Sequence, residues 1–522
     1  MAIRMLAAQG HAQSWRLAKA GVCWAFSSAA LVAPSAVGAQ LINVKSAPIA
    51  DGGQFAVLPS ANLGMGGLSI ALADSALDPF VNPAKGARLR RTRVFGAPTF
   101  FSVSRDAGGG FTLPLGTSVS KGAWFTQIAV AMQDLDRLGN DDQIFAPSPL
   151  SSVAVDVSTA ADDGHSSRQN RYAHALLGRR FANETSVALS ASWWTLNAID
   201  GVELYYQGSQ RVRQHGDALD LRLGILRELS HGQSLEAVVV RNRFAMNQDV
   251  AFNDVFWDPT QRQFVPIARV EPNADRSDTW GLHLAYTRPL ADSTWRIGAI
   301  VTGNRIQQPS LPNYDLPEVS ADAGHAQAYN LGGGVSRSTG LWTMGVDAIY
   351  EPIWSETWVR TDVPTETRGG LSLDAGTKTL ENRFRYDNGI ARAGLAAAVP
   401  LSKDQSLMFE AGGQLRAIRY HLDQSDAIRQ SRSASTQSWN EWTRSWGVGI
   451  RLGGGDLHYR GYLTTGAGRP GFDDNGGVVL AAASTSPPGP GTGFGGGSSA
   501  FGLTFDDVRA TTHQLSFSFP LR

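Results

Sequence analysis

The chain has 522 residues, of which 42% are apolar, and its 46 lysines and arginines offset 46 aspartates and glutamates. A formal net charge of zero, with no sustained run of basic residues, argues against a nucleic-acid-binding protein, because such proteins neutralise phosphates with clustered lysine and arginine. The only cysteine is Cys23, so no intramolecular disulfide can form.

The first 39 residues have the composition of an export signal. Three basic residues and no acidic one come before a largely apolar run at 20–33, and Val37-Gly38-Ala39 has the small residues of a cleavage site. We expect residues 1–39 to be a signal peptide that is removed after Ala39. The alternative is an uncleaved anchor, but the apolar run stops short of the length that a spanning helix needs. Cleavage would remove the only thiol, and with it cysteine catalysis and thiolate metal ligands.

Residues 40–92 show no strand-like alternation and contain a glycine-rich motif. Its residues are Gly64, Met65, Gly66, Gly67, Ala71, Ala73, Asp74, Asn82, Pro83 and Ala84. The spacing differs from that of a phosphate-binding loop, G-x-x-x-x-G-K-[ST]. The glycines allow tight backbone turns, and an Asn-Pro pair restricts the direction in which the chain continues.

From about Arg93 to the end of the chain, apolar and polar residues alternate in many segments. In 219–229, Leu219, Leu221 and Leu223 share one face, opposite Asp220. Because successive side chains of a strand point to opposite faces, such segments are predicted to be amphipathic strands. Similar ladders run through 186–196, 295–302, 407–416, 446–452 and 515–521. A soluble antiparallel sandwich also alternates, so the pattern alone leaves two fold classes open.

The lengths of the connections favour a membrane barrel. Very short polar turns are predicted at 182–184, 230–232, 291–293, 338–340, 402–404 and 453–456. Long polar connections are predicted around 249–277, 307–326, 354–383, 422–440 and 466–507. Short turns at one end and long loops at the other are typical of outer-membrane barrels. A compact soluble domain rarely contains so many long structureless loops.

We therefore predict an all-β fold, with residues 93–522 forming a transmembrane antiparallel β-barrel of about 14 strands, in the range 14–16, in a bacterial outer membrane. Tryptophans near predicted strand ends are expected to form interfacial girdles. These are Trp193, Trp194, Trp280, Trp295, Trp342, Trp354, Trp442 and Trp446. Charged residues on the inward ladders, such as Arg222 and Glu410, are expected to form ion pairs in the lumen, with a polar solute path as the alternative.

The motif between Gly64 and Ala84 resembles, in order and spacing, that of the FadL-type family of outer-membrane transporters for long-chain fatty acids and other hydrophobic compounds. The resemblance implies that residues 40–92 form a hatch inside a barrel that in the family usually has fourteen strands. It also implies ligand capture by extracellular loops and release through a side opening at a kinked strand. The motif residues would then hold the hatch in the lumen or contact the ligand. One departure is Lys85, a charge where the family has a small residue.

Few other residues suggest chemistry. Ile144, Phe145 and Leu150 offer modest apolar surface for ligand capture in the first large loop. The acidic residues at 134–142 match no defined Ca²⁺ site, so we favour a solvated loop and expect no metal. No catalytic motif joins a serine to any of the ten histidines, and a hydrolase would need a spatial Ser/His/Asx group that the sequence does not reveal.

The sequence thus predicts a passive outer-membrane transporter for hydrophobic small molecules, with no cofactor and no enzymatic activity. Its expected partners are a hydrophobic ligand, outer-membrane lipid and the barrel assembly machinery during biogenesis. One alternative is a FadL-like barrel that serves as an interaction or assembly component of a secretion or conjugation system. A porin for polar solutes is the other.

Overall fold

The computed structural model describes residues 41–42, 54, 58–89, 91–104, 108–135, 169–199, 209–258, 263–290, 294–309, 323–367, 369–467 and 509–521. The predicted signal peptide, residues 1–39, lies outside these described residues. Within the described part of the chain, no helix is long and apolar enough to cross a bilayer.

Nearly all of the described structure after residue 92 is antiparallel β-sheet. The strands are β1 Arg93–Gly96, β2 Thr99–Val103, β3 Gly109–Lys121, β4 Trp124–Leu135, β5 Gln169–Arg180, β6 Thr185–Leu196, β7 Ser209–Glu228, β8 Ser234–Asp258, β9 Gln263–Pro289, β10 Trp295–Gln308, β11 Ala323–Thr339, β12 Trp342–Arg360, β13 Thr365–Glu366, β14 Ser372–Leu373, β15 Lys378–Ser402, β16 Gln405–Asp426, β17 Ser431–Leu452, β18 Gly455–Ala467 and β19 Arg509–Pro520. The pair β13 and β14 forms a small separate sheet.

The other 17 strands form one sheet that closes into a barrel. Strands β1 and β2 both pair with β3 and with β19, so they are successive parts of one wall strand and the barrel is 16 strands around. The expectation of about 14 strands is wrong, and 16 is the upper limit of the predicted range. The alternation signal is weak in each strand of a membrane barrel, which makes strands easy to miss in a sequence.

The first wall strand is interrupted at Ala97 and Pro98. Ala97 N–H donates to the carbonyl of Pro114 on β3 at 3.2 Å, and Leu515 N–H of β19 donates to the carbonyl of Pro98 at 2.9 Å. Pro98 and Pro114 themselves have no N–H, so the ladder lacks two donors at one place in the wall.

Short turns join the strands at one end of the barrel. The predicted turns at 182–184, 230–232, 338–340, 402–404 and 453–456 fall at or next to strand ends, whereas 291–293 lies outside the described residues. A further turn, which the sequence analysis missed, contains Gly122, with a φ of 58° that glycine adopts easily. In outer-membrane barrels this end faces the periplasm.

Two of the predicted long connections are wrong. The range 249–277 is mostly strand, because β8 and β9 pair along their whole length as far as Asp258 and Gln263. The range 422–440 holds the facing ends of β16 and β17, which pair up to Asp426 and Ser431. In these outer strand ends the sequence does not alternate regularly between apolar and polar residues, as a lipid-facing strand must.

The outer face of the barrel is apolar. Ile128, Leu223 and Val301, for example, are at least 46% exposed, as lipid-facing side chains are when no lipid is present. The exposed tryptophans are Trp124, Trp193, Trp280, Trp342, Trp354, Trp442 and Trp446. The expectation for Trp194 is wrong, because it points inward and is 7% exposed. A closed barrel with this outer face is a bacterial outer-membrane architecture, and the predicted localisation is confirmed.

Candidate lumen site

Residues 58–89 lie against the inward-facing side chains of the wall. Ser445 of β17 donates to the carbonyl of Gly64 at 3.0 Å and accepts from Gly66 N–H at 2.9 Å. On the neighbouring side, Asp347 of β12 accepts from Ser69 N–H at 2.8 Å. Other wall side chains donate to backbone carbonyls of this segment: Ser336 to Ala71, Arg222 to Phe80 and Val81, Gln514 to Leu58, Arg392 to Gly67, and Arg180 to Ala87 and Leu89. Strands on every side of the barrel therefore hold this segment.

The glycine motif is where the segment comes closest to the wall. Gly66 has a φ of 74°, and a Cβ there would come within 2.6 Å of the carbonyl oxygen of Gly413 and 3.0 Å of that of Ala393. Gly67 has a φ of 71°, but a Cβ there would have no atom within 4 Å. Both positions favour glycine for their backbone conformation, and only Gly66 also needs it for space.

The two preceding motif residues are equally enclosed. Gly64 faces the carboxylate of Glu410, and a Cβ at Gly64 would overlap that side chain. Met65 is 3% exposed, and its backbone lies against Gly394 and Gly412 of the wall. At this contact, a glycine of the segment faces wall backbone, and glycines of the wall face the backbone of the segment. The two chain segments therefore approach more closely than side chains would allow.

Asp74 organises the interior of the segment. It is 3% exposed, and its carboxylate accepts hydrogen bonds from Ser60 Oγ and from the backbone N–H groups of Ala61, Asn62, Ala76 and Leu77. Asn62 adds bonds from its own amide to the carbonyls of Leu68 and Ala73. Bonds from residues on both sides of the glycine turn therefore converge on one carboxylate, which closes the turn into a compact loop.

Asn82 and Pro83 mark the passage towards the first wall strand. Asn82 is fully buried, accepts from Ala84 N–H at 3.0 Å and donates to Glu236 of β8 at 3.2 Å. Pro83 begins a 3-10 turn, Pro83–Arg88, in which the missing N–H of proline costs nothing. Asn82 therefore caps this turn and ties it to the wall.

Lys85, the departure from the family motif, lies between two acids. Its ammonium is 3.1 Å from Asp78 and 3.1 Å from Glu236. Burial raises the pKa of Asp78 to about 6, with Lys85 opposing and the nearby acids Asp74 and Glu236 adding to the rise. Burial would lower the pKa of Lys85, but the two carboxylates more than offset this and raise it. One ammonium cannot neutralise two carboxylates, so one of the two acids keeps its proton to a higher pH than usual. Asp78, whose pKa is raised, is that acid.

Ion pairs occupy the inner face of the wall, as predicted from the inward ladders. Glu410 accepts two hydrogen bonds from Arg460, at 2.8 and 3.1 Å, and both side chains are at most 3% exposed. Asp220 and Arg222 form a second buried pair at 2.6 Å. Burying such a pair has a desolvation cost, which the attraction between the two charges offsets. Removing one partner leaves the other charge buried and unpaired, and this destabilises the protein by more than the intact pair stabilises it.

Above the segment 58–89, in the direction of the long loops, inward-facing residues form a polar level and then an apolar level. The polar level comprises His174, Ser192, Asp220, Asn242, Asn304, Asn330, Glu351, Asn388, Arg416 and Glu441. In each of these strands, the residue two positions nearer the long loops is apolar. Arg416 pairs with Glu351 at 2.9 Å, and Asn388 donates to the same carboxylate at 3.0 Å.

The apolar level consists of two clusters on different sides of the wall. The first, which we call the aromatic cluster, comprises Ile42, Ile306, Ala326, Ala328, Ile353, Tyr386, Ile418, Tyr420 and Trp439, with Phe384 and Leu422 packed against it. The second comprises Ala131, Tyr172, Trp194, Leu196, Ile199, Ala218, Phe244 and Met246. The sequence did not reveal these residues as a site, because Ala326, Leu422 and Trp439 lie in ranges predicted to be loops and the others come together only through strand pairing.

Among the described residues, the one close serine and histidine pair lacks the third member of a catalytic triad. Ser192 Oγ is 2.8 Å from His174 Nδ1, and the ring of Phe80 lies 4.7 Å from the imidazole. The neighbouring carboxylate of Asp220 is bound by Arg222. A triad needs a carboxylate on the far nitrogen of the histidine, so this pair has a structural geometry.

Some predicted residues cannot be placed. Ile144, Phe145 and Leu150 lie outside the described residues, and so does most of the acidic loop at 134–142. Among the residues that are described, no group of three or more His, Cys, Asp or Glu side chains could hold a metal ion.

The fold and its lipid-facing surface define an outer-membrane β-barrel. Neither a protein-family model nor a curated protein sequence matches this chain. Among solved structures, it is similar to the Ralstonia pickettii toluene transporter TbuX at 10% identity and a TM-score of 0.37, over 88% of this chain and 97% of the other. A bacterial polysaccharide outer membrane secretin matches at 9% identity and 0.35, over 83% and 99%. The ferric-catecholate import receptor Fiu from E. coli K12 matches at 8% and 0.35, over 82% of each. At these values no likeness identifies a family or substrate.

Proposed function

We propose that this barrel is a FadL-type passive transporter that carries hydrophobic small molecules across the outer membrane. The observation that carries this proposal is the apolar level of the lumen, formed by the two clusters between the long loops and the polar level. Barrel interiors are polar by default, so two buried apolar clusters on the inner face mark a place where an apolar solute leaves water favourably. The motif of residues 64–84 supports the same family.

In this proposal, residues 58–89 act as the hatch. Hydrogen bonds from wall side chains on many strands hold the segment across the lumen. A polar-solute porin would need an open aqueous path through the same space. The motif residues Gly64, Met65, Gly66, Gly67, Asp74, Asn82 and Pro83 then have an architectural role, because their contacts are with the wall and with one another.

The exit that we propose is the interruption between β1 and β2. A solute that leaves the apolar level downward would meet buried ion pairs and then the hatch, whereas Pro98 and Pro114 leave two ladder donors missing in the wall beside them. Sideways release into the membrane keeps an apolar solute out of the polar level.

Uptake measurements test the proposal. Cells with and without the gene are given labelled toluene, a long-chain fatty acid and a sugar, and the proposal expects faster uptake of at least one of the two hydrophobic compounds and unchanged uptake of the sugar. Equal rates for the apolar compounds in both strains would refute it. A high bilayer conductance of the purified protein would favour a porin, and a stoichiometric protein partner without transport would favour an assembly role.

A further inference from the structure

Four rings of the aromatic cluster form a continuous surface on three neighbouring strands. Phe384 and Tyr386 of β15 stack at 6.0 Å with 18° between their planes, and Tyr386 lies 5.2 Å from Tyr420 of β16. Tyr420 meets Trp439 of β17 edge-on, at 6.0 Å and 82°. An aromatic surface of this size suits a flat, conjugated solute better than a flexible alkyl chain, because rings pair through stacked and edge-on contacts.

Two polar atoms beside these rings have no hydrogen-bond partner within the described part of the chain. Trp439 is 3% exposed and its indole Nε1–H is unpaired, and Asn388, two residues below Tyr386, is 1% exposed with an unpaired Oδ1. Buried polar groups are almost always hydrogen-bonded, because leaving one unpaired costs on the order of 1–3 kcal/mol. One atom is a donor and the other an acceptor, and a hydroxyl group can satisfy either.

The charges directly below the aromatic cluster disfavour an anion. On β12, β16 and β17 the described residues of the polar level include the acids Glu351 and Glu441 and a single base, Arg416, whose guanidinium is bound by Glu351 at 2.9 Å. Glu441 is the register partner of Arg416. The carboxylate of a fatty acid bound in the aromatic cluster would lie close to both of these acids, and like charges repel at short range.

From these contacts we infer that the aromatic cluster binds uncharged, hydroxyl-bearing aromatic compounds, with Trp439 Nε1–H as donor to the ligand oxygen. The inference rests on the proposed function and names the substrate class of that same site. Apolar aromatics without a hydroxyl bind to the same surface more weakly, and aromatic or aliphatic carboxylates are rejected.

Three probes with one shared ring separate these statements. Toluene, p-cresol and p-toluate differ only in carrying no polar group, a hydroxyl or a carboxylate. Their binding is measured by calorimetry on the full-length protein in lipid nanodiscs, for the native protein, for Trp439→Phe and for Trp446→Phe. The first variant keeps an aromatic ring and loses the N–H, and the matched control changes an outward-facing tryptophan on the same strand.

The native protein is expected to bind p-cresol more tightly than toluene and to bind p-toluate least. Trp439→Phe should weaken p-cresol by about 2- to 10-fold, the range of one neutral hydrogen bond, and leave toluene within two-fold. Trp446→Phe should change neither. The inference is overturned if Trp439→Phe weakens both probes equally, if it weakens neither, or if p-toluate binds as tightly as p-cresol. Absence of binding by toluene and p-cresol alike would also overturn the inference, whereas the proposed function would fall only if the uptake of every hydrophobic compound were unchanged.

Discussion

The substitution Gly66→Ala tests whether the glycine motif seats residues 58–89, the proposed hatch, against the wall. A methyl group at Gly66 would come within 2.6 Å of the carbonyl oxygen of Gly413 and 3.0 Å of that of Ala393, both in wall strands that cannot move apart without breaking the ladder. Gly67→Ala is the matched control. Its φ of 71° is close to the 74° of Gly66, but the new methyl group would meet no atom within 4 Å.

The comparison separates backbone strain from steric exclusion. Each alanine must adopt a left-handed conformation, which costs about 1–2 kcal/mol in either variant. Only Gly66→Ala adds overpacking against the wall, typically a further 1–3 kcal/mol. Since about 1.4 kcal/mol changes an equilibrium tenfold, the hatch of Gly66→Ala should be unseated about 5- to 150-fold more often than that of Gly67→Ala.

Single-channel recording in planar bilayers reports unseating directly, because an empty lumen conducts ions. The expected result is a low open fraction for the native protein, a small rise for Gly67→Ala and a much larger rise for Gly66→Ala. Folding is controlled by the heat-dependent mobility of the barrel on gels, which all three proteins should share. Equal open fractions for the two alanine variants would refute the argument that close approach to the wall requires Gly66.

Other substitutions give equally direct outcomes. Arg460→Met leaves Glu410 buried without its partner and should cost about 3–5 kcal/mol of barrel stability, largely recovered in the double variant with Glu410→Gln, as measured by urea unfolding in vesicles. Because the pKa of Asp78 is raised from 3.8 to about 6, protonation of its carboxyl group stabilises the seated hatch at low pH. This contribution is lost as the pH rises through 6. Proteolysis of the hatch should therefore speed up between pH 4 and 7, and Asp78→Asn should abolish this dependence. Replacing Pro98 and Pro114 together by threonine restores two ladder donors and should slow toluene uptake while stabilising the barrel by about 1–3 kcal/mol, the range for two hydrogen bonds.

The parts of the barrel that face lipid could be predicted from the sequence, and the parts beyond the membrane could not. Where one face meets lipid and the other meets the lumen, side chains must alternate, as in Leu221, Leu223 and their polar neighbours. In the outer parts of β8 and β9, as in Asn253-Asp254 and Phe256-Trp257, apolar and polar residues do not alternate regularly, so the sequence pattern does not distinguish strand from loop. The tally of 14–16 strands therefore included the correct number without fixing it, and the family likeness suggested two too few.

The candidate site divides in the same way. The hatch motif is contiguous, so Gly66, Asp74 and Asn82 could be recognised by residue type and spacing alone. The aromatic cluster depends on register, because Tyr386, Tyr420 and Trp439 come together only when three strands pair with particular offsets. No local pattern specifies those offsets, and a shift of one residue would turn the rings towards lipid.

The order of the levels in the lumen has a consequence for the direction of transport. Moving an apolar solute from the apolar level into the polar level would interrupt hydrogen bonds such as those from Arg416 and Asn388 to Glu351, without offering partners in return. Each buried polar group left unpaired costs on the order of 1–3 kcal/mol. Passage straight down would break several such bonds and then unseat the proposed hatch, whereas the exit proposed at Pro98 breaks none of them. In the proposed transport path, a solute held in the apolar level therefore favours the wall over the lumen below it, with the polar level as the floor of the proposed binding site.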